Sequence, residues 1–205
     1  MHVTFLLYEG IEPVDLAAIG VISMARRIVP ALSYETVAAT RDAVPFSNGL
    51  MVLPTRTFDE VQDVDVLLVP GGPGWRKASQ DPVIQAFVQR VAPAATLCSV
   101  CTGAMILAQA GLLDGKRATT KVEVVPPEVS PLAELRERFP AVQAERALLV
   151  DAGQVVTGGG VTLCIDAMLY LLEKRFGEHV ADEVARIMEY SAARSANRAR
   201  LALQV

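Results

Sequence analysis

Short apolar runs alternate along this chain with stretches of helical spacing. Val3–Tyr8 (VTFLLY), Asp65–Pro70 (DVLLVP) and Thr96–Val100 (TLCSV) are strand-length and bounded by turn residues. Runs of that kind mark strands buried on both faces, as in a parallel sheet covered by helices. Tyr34–Ala39 reads as a further strand, and Leu50–Leu53 as a short one after the Asn48-Gly49 turn signal. Leu148–Asp151 and Val155–Thr157 are two more, joined around Ala152-Gly153.

Helices are predicted between them. Pro13 suits a first helical turn, with a helix running to about Ile28. Asp81-Pro82 and Ser130-Pro131 each set an N-cap before a proline, predicting helices to about Val91 and through Phe139. Another helix starts at once after Cys101 and is closed by Gly111 and Gly115. Gly158-Gly159-Gly160 leads into a long helix over about Thr162–Phe176, and Gly177 separates it from a last one beginning near Glu178. Ser191–Val205, with Arg194, Arg198 and Arg200 among alanines and leucines, reads as a solvated terminal helix or tail. The alternation predicts an α/β fold in one domain over residues 1–205, a mostly parallel sheet with helices on both faces. Ligands bind such sheets beyond the C-terminal strand ends, where the loops Glu9–Asp15, Gly71–Trp75 and the Cys101 corner converge.

Composition narrows the function classes. Of 205 residues, 52% are hydrophobic and 20% charged, as in a globular α/β protein with a sizeable core. The net charge of −4 leaves no electrostatic footprint for nucleic acid. No uncharged apolar run approaches the length of a membrane span, and the N-terminus lacks a signal-peptide pattern. Three cysteines, an odd and small number, predict reduced thiols in a cytoplasmic protein.

The chemistry centres on TLCSVCTGAMILAQAG, Thr96–Gly111. Cys101 stands where a strand breaks into a helix, with Ser99 and Gly103 supplying the small side chains a tight corner needs. Free N–H groups and the positive helix end there are expected to favour a thiolate. Cys98 lies within the strand, so its CxxC spacing with Cys101 is not read as a redox or metal pair, and Cys98 and Cys164 are read as core residues. His2 begins the first strand and His179 the last helix, which disfavours a Cys-His dyad. The candidate proton partners are Asp15 and Glu12, at the end of the first βα loop. A carboxyl beside the sulfur gives a coupled pair, expected as a protonated acid next to an ionised nucleophile. Asp15 as a plain helix cap is the competing account. Gly71 and Gly72 offer backbone N–H groups to the sulfur or a developing anion, and Thr102 a hydroxyl to the same pocket. Trp75, the only tryptophan, walls a pocket or covers a core edge.

With those pieces placed, the chain resembles the ThiJ/PfpI superfamily, whose fold is flavodoxin-like, of the class I glutamine amidotransferase type, and within it the isonitrile hydratases. The resemblance lies in Val14-Asp15-Leu16, Leu53–Gly74, Ser99–Thr120, Val155–Gly177 and Met188–Tyr190. It implies a homodimer acting on a small molecule without metal or organic cofactor. Cys101 is then the nucleophile, Asp15 the acid/base and Thr102 a polar pocket residue near Gly71 and Gly72. The implied reaction adds water to R–N≡C through a thioimidate, giving an N-substituted formamide. This chain has Ala18-Ile19 where relatives usually carry Gly-Pro, and Lys121-Val122 where they usually carry His-Trp. Two alternatives remain: another thiol enzyme or oxidation sensor of glyoxalase or stress-response type, and a non-enzymatic ligand-sensing dimer. A DNA-binding regulator is disfavoured, since no helix-turn-helix follows Tyr190.

Overall fold

The computed structural model describes all residues, Met1–Val205. In chain order the strands are β1 (His2–Leu6), β2 (Ser33–Ala38), β3 (Val44–Pro45), β4 (Met51–Val52), β5 (Arg56–Thr57) and β6 (Val66–Val69). They continue with β7 (Thr96–Ser99), β8 (Arg117–Ala118), β9 (Gln143–Ala144), β10 (Leu149–Asp151), β11 (Val155–Gly158) and β12 (Leu203–Gln204). The helices are α1 (Ala17–Ala25), α2 (Trp75–Gln80), α3 (Pro82–Val91), α4 (Gly103–Gln109), α5 (Pro131–Arg138), α6 (Cys164–Phe176), α7 (Glu178–Ile187) and α8 (Ser191–Arg200).

The main sheet has eight strands in the order β12-β10-β11-β7-β6-β1-β2-β5. It is parallel throughout except where β10 runs against β11. Helices α1, α6 and α7 pack together, and α2, α3, α4 and α5 form a second group. The sheet between these groups is covered on both faces, which is why its strands read as unbroken apolar runs. Phe5, Leu67, Leu68, Leu97, Met105 and Ile106 are fully buried in the core. No helix is long and apolar enough to cross a membrane.

The chain builds from β1 outward through β2 to β5, then returns to lay β6 on the other side of β1. That reversal opens a crevice beyond the β1 and β6 ends, the usual ligand position in an open α/β sheet. Phe5 pairs with Leu68, Leu68 with Cys98, and Ser99 with Thr157. Four strands therefore end at one level, and their loops meet.

Local differences from the sequence reading have identifiable causes. The first helix is preceded by a separate 3₁₀ turn, Pro13–Leu16, and α1 stops at Ala25 rather than near Ile28. Glu12 starts the turn by accepting the Val14 amide, and the tighter winding directs Asp15 inward to complete burial. Of Leu50–Leu53 only Met51–Val52 is strand, paired with β3 in a hairpin outside the main sheet. The basic terminal stretch is a helix, but Arg194 is not solvated. It is 6% exposed and bound by Asp182 and Glu173. Beyond α8 the chain re-enters the sheet as β12 beside β10.

Candidate active site

Cys101 follows β7 with φ +51, a left-handed conformation that a side chain other than glycine adopts at a cost on the order of 1–3 kcal/mol. The packing around it enforces this. Its amide donates to Gly159 O at 3.0 Å, and its carbonyl accepts the Thr120 hydroxyl at 2.7 Å. Gly103 begins α4 so close to Val69 O that a Cβ has no room. The corner places the Cys101 side chain at the floor of a cavity of about 460 Å³.

Asp15 sits behind that corner. Oδ2 accepts the Gly71 amide at 2.6 Å, while the buried Oδ1 has no hydrogen-bond partner. Gly71 is the wedge between acid and sulfur. A Cβ on it would stand 2.7 Å from Cys101 Cβ and closer still to the Thr102 amide. The Gly72 amide donates to Thr102 Oγ1 at 2.9 Å, and that hydroxyl donates to Gly72 O at 3.2 Å. Both glycine amides, read from the sequence as donors to the sulfur or an anion, are engaged here in holding Asp15 and Thr102.

Gly72, Trp75, Cys101 and Thr102 all line the cavity. Trp75 is only 4% exposed, with the Arg76 guanidinium 4.4 Å above its ring. Of the two candidate carboxyls, Glu12 lines the cavity and Asp15 lies beneath it, fully buried. Cys98 and Cys164 are core residues, and no cysteine is paired. His2 bonds Ser33 at the opposite end of the strands, and His179 is exposed at the start of α7.

Residues 1–174 match the DJ-1/PfpI family along the whole stretch that builds this corner and cavity. The chain belongs to the DJ-1/PfpI family. Isonitrile hydratase from Pseudomonas putida is 32% identical over 94% of this chain and 80% of its own. The HTH-type transcriptional regulator GbdR of Pseudomonas aeruginosa is 28% identical over 93% of this chain, which spans 51% of the regulator. A crystal structure of a ThiJ/PfpI family protein from Pseudomonas syringae matches with a TM-score of 0.79 at 26% identity, covering 95% of this chain and 83% of that one.

The ionisation of this DJ-1/PfpI site differs from the sequence expectation. Burial, with Asp15 nearby, pushes the Cys101 thiol up to about 12, against the weaker pull of the Thr102 amide, Lys121 and the Thr102 hydroxyl. Burial also raises Asp15, to about 7, countered by the Gly71 amide and reinforced by Glu12. The first negative charge therefore falls on the carboxyl, not the sulfur. The helix end is too weak to reverse this, because α4 is only seven residues long and Cys101's own amide is bonded to Gly159.

Four residues at the site were not predicted as site residues from sequence. Gly160 lies against the sulfur: a Cβ there would be 3.3 Å from Cys101 Sγ. Lys121 and Val124 line the cavity. Tyr8, two residues past β1, is buried and donates its hydroxyl to Pro70 O at 2.8 Å. The glycine run before α6 was the available signal for the first, since it ends the strand adjoining β7. Nothing in their spacing marked the other three, and only the resemblance drew attention to Lys121.

Proposed function

We propose that Cys101 and Asp15 work as a thiol–carboxylate pair that hydrates an isonitrile to an N-substituted formamide. The Asp15 carboxylate takes the Cys101 proton as sulfur bonds to the terminal carbon of R–N≡C, and returns it to that carbon. The product is a thioimidate, R–N=CH–S–Cys101. Water then adds to this carbon, giving one proton to Asp15. Asp15 passes that proton to nitrogen and takes the second from the hydroxyl as C=O forms. The C–S bond breaks, sulfur receives this second proton from Asp15, and R–NH–CHO leaves with the thiol restored. Thr102, fixed by Gly72, presents its hydroxyl at the cavity floor to orient substrate and water. Trp75 forms an apolar wall.

The observation carrying this reading is the buried Asp15, anchored through one oxygen with the other unpartnered and more readily ionised than the sulfur it accompanies. That order of ionisation leaves a carboxylate able to accept the thiol proton, directly or through one water. The similarity to an isonitrile hydratase supports the substrate class. Cyclohexyl isonitrile incubated with the protein should yield the formamide, seen by its formyl proton in NMR, with no turnover by Cys101→Ser. Untouched isonitrile alongside ready alkylation of Cys101 refutes the substrate and keeps the thiol.

The likeness to GbdR favours one second reading, a ligand-sensing domain. Thermal stabilisation by an isonitrile without turnover would select it. The active unit is proposed as a homodimer, and a monomer mass by light scattering would remove that assignment.

A further inference from the structure

One cation on the cavity wall has no carboxylate partner. Lys121 is half-buried, and its stem packs on the same glycine as the sulfur. A Cβ at Gly160 would meet Lys121 Cβ and Cγ at 2.8 Å and Cys101 Sγ at 3.3 Å. Its backbone is fixed to the corner itself, the Lys121 amide donating to Cys101 O at 3.3 Å and its carbonyl accepting from Leu132 at 3.1 Å. The ammonium donates only to the Glu123 carbonyl, a neutral acceptor. The Glu123 carboxylate is instead paired with Arg146 at 2.7 Å.

The other charged groups on the wall are differently placed. Arg76 is held by Glu134 and lies over Trp75. Glu12 is tied to the Val14 amide at 3.4 Å on the Gly72 side, and Glu128 is on the exposed part of the loop before α5. Pro73, Trp75, Val124, Val129 and Val161 supply the apolar wall. The cavity thus combines an apolar wall, a sulfur, and a positive charge on a flexible stem beside that sulfur.

We propose that Lys121 makes the pocket selective for electrophiles that carry an anionic group on an apolar body, such as a carboxylate-bearing isonitrile. Its ammonium exchanges the neutral Glu123 carbonyl for the substrate's carboxylate, which adds the attraction of an opposite charge to the bond. This deepens the proposed function and rests on its thiol nucleophile, not on isonitrile turnover.

Iodoacetate and iodoacetamide differ in charge and share their chemistry, so they test the idea directly. Cys101 alkylation by each is followed by intact mass in wild type, Lys121→Met and Lys121→Arg. Both reagents meet the same thiolate fraction, so their rate ratio cancels any change in sulfur ionisation. The iodoacetate-to-iodoacetamide ratio should fall about tenfold in Lys121→Met and largely return in Lys121→Arg. In wild type it should fall with added salt. An unchanged ratio, or an equal loss with both reagents, overturns the lysine's role and leaves the reactive thiol standing. Failure of both reagents to alkylate Cys101 at any pH overturns both.

Discussion

The Gly71 amide donates to Asp15 Oδ2 at 2.6 Å while Oδ1 of the same carboxyl has no partner. One oxygen fixes the side chain and the other stays available for a proton. Burial holds that proton more tightly than in an ordinary aspartate, so the carboxyl changes charge in the physiological range.

Asp15→Asn separates catalysis from thiol reactivity because it moves them in opposite directions. Turnover should fall by about 10²–10⁴-fold with loss of the proton shuttle. The negative charge that raises Cys101 also disappears, so iodoacetamide should label the thiol faster at a fixed neutral pH. A variant that loses both together has lost its pocket instead.

In wild type, kcat/KM should rise with pH and level off above about 7, as Asp15 becomes the carboxylate needed to receive the thiol proton. A pH–rate profile in matched ionic strength reads this. Activity that declines across the same range argues against a base at Asp15.

Stability should follow the same group with the opposite slope. The folded-state pKa of about 7 lies above the ordinary 3.8, so the native state binds this proton more tightly than the unfolded chain. That contribution is complete below about pH 4 and is lost as pH rises through 7. Urea unfolding of wild type and Asp15→Asn should therefore diverge over this window in favour of the variant. The gap at its plateau is on the order of 4 kcal/mol. A pH-independent difference between the two would dispose of the assignment.

Two glycine substitutions should have opposite signs. Gly71→Ala sets a methyl against the Thr102 amide and the Cys101 Cβ and should abolish activity, with destabilisation of about 2 kcal/mol or more. Gly20 is exposed in α1 with nothing within 4 Å of a new Cβ, so Gly20→Ala should stabilise by about 0.8–1 kcal/mol. Paired thermal melts and a turnover assay check both.

Arg194→Met should loosen the terminal helix rather than the active site. It removes the buried guanidinium that joins α8 to Asp182 on α7 and Glu173 on α6. We expect a loss of about 1–3 kcal/mol and faster hydrogen exchange confined to α8 and β12. Unchanged exchange there would mean that Arg194 bears no load in docking α8.

The sequence made the sheet legible because β1, β6 and β7 are buried on both faces and carry unbroken apolar runs. The corner at Cys101 was legible for a related reason, since Ser99 and Gly103 are small where the backbone reverses. Two-residue strands such as β5 and β12 have no period to detect; their pairing is decided by neighbours distant in the chain. Arg194 looked solvated because its partners lie on two other helices. The order of ionisation escaped for the same physical reason. A corner suggests an exposed sulfur, but burial is set by Gly160, Asp15 and the Lys121 loop, which only the folded chain brings there.

Residues 15, 71, 101 and 160 come from four separate strand-to-helix connections, which meet only when β1, β6, β7 and β11 lie side by side. Until the sheet has closed on both sides of its first strand, the sulfur is an ordinary cysteine in an unremarkable chain. Its chemical character is therefore a property acquired at the end of folding, and selective labelling of that one thiol reports a fully assembled molecule.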